Sequence, residues 1–564
     1  MRQLSLSQTG GIGWLLGVAL LAVPWLIPIH TQPWTFFHGD MAMAIAVLPL
    51  ALWALVADRS RFRVPFAAIA AGVLAVVPLV QWVMGLIRFA GDAWLAAIYL
   101  LGFAAAIVVG ARARQLRPSL LPNILFASFG VAAMLSFGLA LYQWSRLDWL
   151  GLLALPLPDA RPMANLAQPN HLATLLVWGL VAFWWAYLKR YLRGSVCALA
   201  AGLLLLGIAM TQSRAGALEV LLLGLAAFLF RGALGTRRYA AALALLGLWF
   251  LAAFLAWVPL NGAMHLPQGA SLAERAESGS RILIWQLLVD AAVQRPWTGW
   301  GWNQVVLAQV ALASGHPAIH EVFSYSHNLV LDLILWNGLP VALLVCAGLV
   351  AWFVRQVGQA VTPERALLLT AVGAFLLHAQ FELPHGYLLF LLPVGLMVGA
   401  LHGGAEDRWH VAVPRSVVAL PLVVLAFCLV AVARDYMRIE EAWMAYRMQA
   451  ARIGTVEPAP IPQAIVLTNL QALLETVRIE PRRGMPQEEI EKLHLLAEHQ
   501  PGAGSLFRYA QASALNGGIA NASRALDVLC RLHKEAECAS AKVSWTAAAG
   551  KDSSEMLAAW PSAD

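Results

Sequence analysis

Three polar segments interrupt the apolar sequence and carry the side chains best suited to chemistry. Arg214 and Arg281 are two guanidiniums at the ends of apolar runs, and His327 begins another such run. A pair of guanidiniums can clamp an anion such as a diphosphate, and an imidazole titrates near neutral pH, which suits it to proton transfer. Arg281 has a simpler interpretation, since Ser278 or Ser280 can be a plain helix cap and the arginine that follows can be solvated. Together the three residues predict a site.

Two further polar clusters lie at the ends of apolar runs. Gln168-Pro-Asn-His171 starts one run, and the short turn 378–387 separates two others. Glu382 in that turn can orient His327 by accepting a hydrogen bond from its imidazole, or the turn can simply be a charged hairpin tip. The predicted catalytic residues are His327 and Glu382, the predicted diphosphate-binding residues are Arg214 and Arg281, and the other site candidates are Gln168, Asn170, His171, Asn328, His378 and Tyr387.

The elements that must position these residues are apolar helices. Of the 564 residues, 60% are hydrophobic and 12% are charged, against roughly 45–50% and about 25% in soluble domains. Many runs approach the roughly 20 residues that cross a bilayer. We predict an all-α polytopic membrane protein with about thirteen transmembrane helices, near 12–29, 41–57, 65–87, 93–110, 121–142, 170–188, 195–211, 215–231, 239–259, 327–354, 366–381, 386–402 and 416–433.

The net charge of +7 comes from short basic loops on one predicted side of the membrane. If the N-terminus is cytoplasmic, the loops that contain Arg59, Arg112, Lys189 and Arg231 all lie inside, as the positive-inside rule requires. This distribution explains the basic balance without a nucleic-acid partner. It also places the 259–326 segment, and everything after residue 433, in the periplasm.

The 259–326 segment is too long for an idle connection. Residues 281–294 show helical spacing of apolar side chains, which predicts an amphipathic helix at the membrane interface. Trp285, Trp297, Trp300 and Trp302 are predicted to lie at headgroup depth. The segment is therefore expected to be a large, ordered periplasmic loop.

The C-terminal region is charged and periodic, and it predicts amphipathic helices within 465–477, 488–498 and 504–532. We expect a transmembrane domain at 1–433 and a soluble helical periplasmic domain at 434–564. Cys530 and Cys538 lie in this region, where an oxidising compartment favours a disulfide over two free thiols.

The same segments resemble the bacterial O-antigen ligase superfamily. The resemblance rests on Gln168 to His171, Thr211 to Arg214, Ser280-Arg281 with Trp285, Gly299-Trp-Gly301, His327-Asn328 and the 378–387 turn. It is strongest between about residues 162 and 387. The long C-terminal region makes the chain most similar to the pilin-type protein O-oligosaccharyltransferase branch.

The resemblance implies en bloc transfer of a glycan from a polyprenyl diphosphate carrier to Ser or Thr hydroxyls of an exported protein such as a pilin. It implies His327 as the base, Glu382 as its orienter, and Arg214 and Arg281 on the diphosphate. No metal or other cofactor is expected. The alternatives are an O-antigen ligase acting on lipid A core, an O-antigen polymerase, a lipid-glycan flippase and a membrane scaffold that works through its C-terminal helices.

Overall fold

The computed structural model describes residues 8–157, 160–266, 280–404, 409–454 and 460–552. Nine helices in these ranges are long and apolar enough to cross a membrane. The prediction of an all-α polytopic membrane protein is confirmed at this level. The nine are Phe37–Val56, Phe66–Val83, Ala90–Leu116, Leu120–Trp144, Pro169–Leu188, Gly194–Thr211, Thr236–Ala263, Leu329–Gly358 and Arg415–Ala450.

Four of the thirteen predicted spans are shorter helices. Gln8–Ala22 and Leu388–His402 have 15 residues each, and Arg214–Leu229 and Pro363–His378 have 16. A helix of that length rises about 22–24 Å, which is less than the roughly 30 Å of a hydrocarbon core. The exact number of crossings stays a prediction.

A small antiparallel sheet, which the sequence did not predict, joins the loop that contains Arg59 to the segment before the helix Arg415–Ala450. Phe62–Pro65 pairs with His410–Val413. Arg112 lies over the Phe62 ring, with its guanidinium carbon 4.6 Å from the ring centroid. The same guanidinium donates to the Asp58 carboxylate at 3.1 Å, so this arginine, predicted in a loop, lies in the helix Ala90–Leu116 and is paired and buried.

The residues of the chain group by their mutual contacts into two compact units. The first comprises Met1–Ala75, Ile98–Leu272 and Gly348–Leu429, and the second comprises Val76–Ala97, Ala273–Ala347 and Val430–Asp564. The predicted domain division between residues 433 and 434 falls within one continuous helix, Arg415–Ala450, and stays a prediction.

Close helix packing in the first unit depends on glycines at four-residue spacing. Gly395, Gly399 and Gly403 face the helix Ala90–Leu116, and a Cβ on Gly399 would overlap the carbonyl oxygen of Ile107. Such small-residue spacing lets apolar helices approach until their backbones touch. These contacts hold Leu388–His402, the helix that begins immediately after Tyr387.

The second unit includes the C-terminal helices Thr468–Thr476, Gln487–His499, Ala503–Leu515, Ile519–Leu532 and Glu535–Asp552. The last four of these helices bury an apolar core together with Ala313, Val310 and Val322 from the predicted periplasmic loop. Arg531 donates to the His316 carbonyl oxygen at 2.9 Å. Cys530 and Cys538 form the expected disulfide. The C-terminal helices and the loop therefore share one core.

The loop contains the helices Ser280–Gln294 and Val305–Leu312. The first buries Ile284, Leu287 and Ala291 and leaves Ile282 60% exposed. An apolar exposed face agrees with the predicted interfacial helix. Among the tryptophans predicted at headgroup depth, Trp300 and Trp302 are buried in the protein and Trp297 is 77% exposed, so their membrane depth stays a prediction.

We predict that Gly399→Ala destabilises the protein by about 1–3 kcal/mol, because its methyl group must displace backbone of the facing helix. Gly247→Ala is the matched control, since a Cβ there meets nothing within 4 Å and alanine favours the helix by about 1 kcal/mol. Thermal unfolding of detergent-solubilised protein measures both. Equal melting temperatures for the two variants would contradict the close approach.

His499 makes the second unit pH-sensitive. Burial lowers the pKa of this imidazole from 6.5 to about 4, with a smaller contribution from Arg88. The unfolded chain therefore binds more protons between these pH values, so the stability present above pH 6.5 is lost as the pH falls towards 4, by about 3 kcal/mol. We expect the melting temperature of His499→Gln to fall less than that of the native chain over this window. Parallel pH curves would refute the assignment.

Candidate active site

Glu382 is the centre of a buried polar cluster in the first unit. Its side chain is 3% exposed. One carboxylate oxygen accepts from the Asn170 amide at 2.8 Å, and the other accepts from the Gln168 amide at 3.2 Å. Two amide donors stabilise a carboxylate that burial would otherwise disfavour. The two predicted clusters, 168–171 and 378–387, thus come together.

A second carboxylate lies beneath this cluster. Glu219 is fully buried and accepts from the Thr174 hydroxyl at 2.8 Å. The same hydroxyl is 2.8 Å from Nδ1 of His378. The Thr174 hydroxyl therefore links the Glu219 carboxyl group to the His378 imidazole. The sequence does not identify this carboxylate, hydroxyl and imidazole chain, since Thr174 is an ordinary residue of an apolar helix.

His171 is surrounded by aromatic rings. It is 1% exposed, and its ring centroid lies 4.8 Å from that of Tyr387 and 5.7 Å from that of His378. Within the described part of the chain, neither of its ring nitrogens has a hydrogen-bond partner. The predicted candidates His171, His378 and Tyr387 are therefore neighbours.

Arg161 is a site residue that the sequence analysis missed. Its Nε donates to the Thr211 carbonyl oxygen at 2.7 Å, and its Nη2 donates to Oδ1 of Asn170 at 3.3 Å. Oδ1 of Asn170 accepts from Arg161, so the amide N–H groups of Asn170 face Glu382. The available signal was an arginine on the predicted outer side of the membrane, where basic residues are scarce.

Arg214 is the first residue of the helix Arg214–Leu229, and its side chain is exposed. The Ser213 hydroxyl accepts from the Gly216 amide at 3.0 Å and caps this helix. The helix N-terminus adds a partial positive charge beside the guanidinium. The position suits the predicted role in binding an anion.

The sequence predicts His327 on the first turn of its helix. In the structure His327 belongs to the second unit and lies two residues before the helix Leu329–Gly358. Its φ is +58°, an uncommon conformation for a residue with a side chain. The preceding residue, Ser326, is bound through both of its backbone polar groups. The Ser326 amide donates to Asp332 at 2.7 Å, and the Ser326 carbonyl oxygen accepts from the Trp285 indole at 2.8 Å. These bonds determine the position of His327.

Asn328 begins the same helix by capping it. Its side-chain oxygen accepts from the Leu331 amide at 3.0 Å. Arg281 is half-buried on the first turn of Ser280–Gln294, one turn before Trp285. The predicted cap Ser278 lies outside the described residues, and so does Gly279. The second unit thus holds Arg281, His327 and Asn328 of the predicted set.

The helix Leu329–Gly358, which follows His327 and Asn328, is kinked further along. Gly338 has a φ of +76°, and a Cβ there would overlap the carbonyl oxygen of Trp297. The Gln81 amide donates to the Trp336 carbonyl oxygen at 2.7 Å and its oxygen accepts from the Trp302 amide at 2.9 Å. The motif Gly299-Trp-Gly301 therefore packs against the kink.

Within the ranges that the structure covers, no group of three or more His, Cys, Asp or Glu residues could hold a metal ion. His316 pairs with Asp290 at 3.0 Å, and His320 contacts the His533 carbonyl oxygen at 2.7 Å. These two histidines contact the rest of the second unit.

Three family models match successive parts of the chain. Residues 162–186 match "Protein glycosylation ligase", residues 199–346 match "O-Antigen ligase", and residues 366–548 match "Virulence factor membrane-bound polymerase, C-terminal". The predicted resemblance to the O-antigen ligase superfamily is confirmed. The class is that of a polytopic membrane glycosyltransferase of the oligosaccharyltransferase or O-antigen ligase type.

Nearly the whole chain is similar to one characterised type of enzyme within this class. A "General O-oligosaccharyltransferase" of Acinetobacter baylyi is 29% identical over 540 residues, which are 92% of each chain. A "ComP-specific O-oligosaccharyltransferase" of the same organism is 28% identical over 329 residues, 57% of this chain and 58% of the relative. The first similarity includes both units.

We predict that Asp332→Ala lowers the transfer rate ten- to a hundredfold, because it removes a charge-assisted bond of about 1.5–3 kcal/mol that positions His327. Asp290→Ala is the control, since that carboxylate is 63% exposed. The rate per folded enzyme is measured in detergent with a lipid-linked glycan. A native rate for Asp332→Ala would show that the clamp does not position His327.

Proposed function

We propose that this chain is a protein O-oligosaccharyltransferase that moves a glycan en bloc from a polyprenyl diphosphate carrier, such as undecaprenyl diphosphate, to Ser or Thr hydroxyls of exported proteins. The observation that carries the proposal is the similarity to a general O-oligosaccharyltransferase over 92% of both chains. The clustered polar residues 168–171 and 378–387 support it, because they are the segments on which the family resemblance rests.

Arg214 and Arg281 are assigned to the diphosphate of the donor. As the bond between the anomeric carbon and the diphosphate oxygen breaks, the electron pair leaves with the diphosphate, and two guanidiniums offset the charge that develops. The exposed side chain of Arg214 at a helix N-terminus favours this role.

His327 is assigned to the acceptor. Its imidazole takes the hydroxyl proton while the hydroxyl oxygen forms the new bond to the anomeric carbon. A single displacement of this kind inverts the configuration at that carbon. The clamp by Asp332 and Trp285 supports the assignment, because a general base must be held in one geometry.

Glu382 is retained as a catalytic candidate with a defined local role. Its carboxylate accepts from Gln168 and Asn170, so it ties the turn 378–387 to the segment 168–171. We propose that it holds the 168–171 segment and accepts a hydrogen bond during transfer, from an imidazole or a sugar hydroxyl.

We place the enzyme in the bacterial inner membrane with its site and C-terminal helices in the periplasm. The basic loops support this orientation through the positive-inside rule. The Cys530–Cys538 disulfide supports an oxidising compartment for the C-terminal helices. About thirteen crossings, including the four shorter apolar helices, agree with a cytoplasmic N-terminus.

A lipid acceptor is the second candidate, because residues 199–346 match the O-antigen ligase model. In that case the donor chemistry is unchanged and only the acceptor differs. A polymerase that acts on a second lipid-linked glycan is a further candidate, because residues 366–548 match the membrane-bound polymerase model.

The test is glycan transfer in a glycan-producing bacterial host that lacks its own ligase. Native chain and His327→Ala are compared at matched membrane abundance, and exported proteins and lipopolysaccharide are both probed. We expect glycan on protein with the native chain and a loss of at least a hundredfold in the variant. His494→Ala, which removes an imidazole that stacks on Tyr509 in the C-terminal helices, is the control.

Each other outcome contradicts one part of the proposal. Glycan on lipid A core alone would identify a ligase. Longer lipid-linked glycan without transfer to protein would identify a polymerase. Native transfer by His327→Ala would remove this imidazole from the mechanism.

A further inference from the structure

A short aromatic segment that leads into the first turn of the helix Phe37–Val56 has no role in the proposed transfer mechanism. Within nine residues it contains His30, Trp34, Phe36, Phe37 and His38. It belongs to the first unit, as do Glu382 and its partners. We call residues 30–38 the aromatic segment.

Both ends of the aromatic segment are fastened to the chain stretches that carry the polar cluster. At its start, Nε2 of His30 lies 2.9 Å from the Asn165 carbonyl oxygen, three residues before Gln168. At its end, the buried Asp40 carboxylate accepts from the Leu389 amide at 3.0 Å and from the Tyr99 hydroxyl at 2.7 Å. Leu389 is two residues after Tyr387, so the segment is held rigidly beside the site.

The rings of the aromatic segment contact those of the candidate active site. The Phe36 centroid is 4.3 Å from that of Tyr387 and 5.7 Å from that of His171. Trp34 packs on Phe37 at 5.3 Å. Trp34, Phe36 and Tyr387 are each half-buried, so one part of each side chain is held in place and another part is accessible.

We propose that Trp34, Phe36 and Tyr387 bind a pyranose ring of the donor glycan. The proposal rests on the function proposed above. Aromatic faces pack against the C–H faces of a sugar, and a few convergent polar groups fix its orientation. Gln168 and Asn170 lie within three residues of His171, whose ring contacts both Phe36 and Tyr387, so amide side chains and aromatic rings are contributed by neighbouring residues.

An aromatic belt at the membrane surface is the competing explanation, because Trp and Tyr collect there. Two observations favour the sugar. The ring of Phe36 packs on the buried His171, and the buried Asp40 carboxylate ties the segment to the helix after Tyr387. A belt requires neither an inward-facing ring nor a buried carboxylate.

The experiment compares two ligands of the purified full chain that differ only in the sugar. One is a polyprenyl-diphosphate-linked oligosaccharide that the native chain transfers, for which KM is measured. The other is bare polyprenyl diphosphate, for which the inhibition constant is measured. For Trp34→Leu and Phe36→Leu we expect KM to rise about tenfold and the inhibition constant to stay within about twofold.

Trp149→Leu is the matched control, because that side chain is 73% exposed and contacts Tyr142 rather than the site. We expect native values for both ligands. An equal rise of both constants in Trp34→Leu and Phe36→Leu, or no rise in either, would overturn the proposal and favour the belt. If the native chain transfers glycan to no acceptor, the proposed function itself fails.

Discussion

Burying carboxylates among apolar helices is the constraint on which the functional parts of this protein depend. An ionised group without partners in such surroundings costs several kcal/mol. Asp40, Glu219, Asp332, Glu382 and Asp435 are all at most 3% exposed, and each accepts hydrogen bonds from donors in the chain. In most cases these donors come from distant segments, so each carboxylate joins stretches of chain that apolar packing alone would leave free to slide.

The same constraint explains why irregular segments carry the candidate residues in fixed positions. Glu382 holds the 168–171 segment through two amides, and Asp332 holds Ser326, the residue before His327. In the C-terminal region Asp435 accepts from three successive amides that precede the helix Thr468–Thr476. A loop whose backbone donors are bound to a buried carboxylate has few alternative conformations, which is the preorganisation that group transfer requires.

The parts that the sequence predicted are those with a local signal. Apolar runs of sufficient length predicted the helices, and polar residues at their ends predicted Gln168, Glu382 and His327. The contacts of these residues have no local signal. Asn170 meets Glu382 across 212 positions, and Thr174 meets His378 across 204. Thr174 has no pattern that marks it, and the burial of Trp300 depends on a partner elsewhere in the chain.

The C-terminal helices show a further limit of local patterns. Their amphipathic spacing predicts that one face is covered, but it does not identify what covers it. Polar outer faces and a change in composition favour a separate domain, whereas the structure puts Ala313, Val310 and Val322 of the loop into the same core. The loop leads directly to the segment before His327. A region that completes the core of this loop is therefore part of the framework that supports the candidate base, and its effect on transfer need not involve any contact with an acceptor.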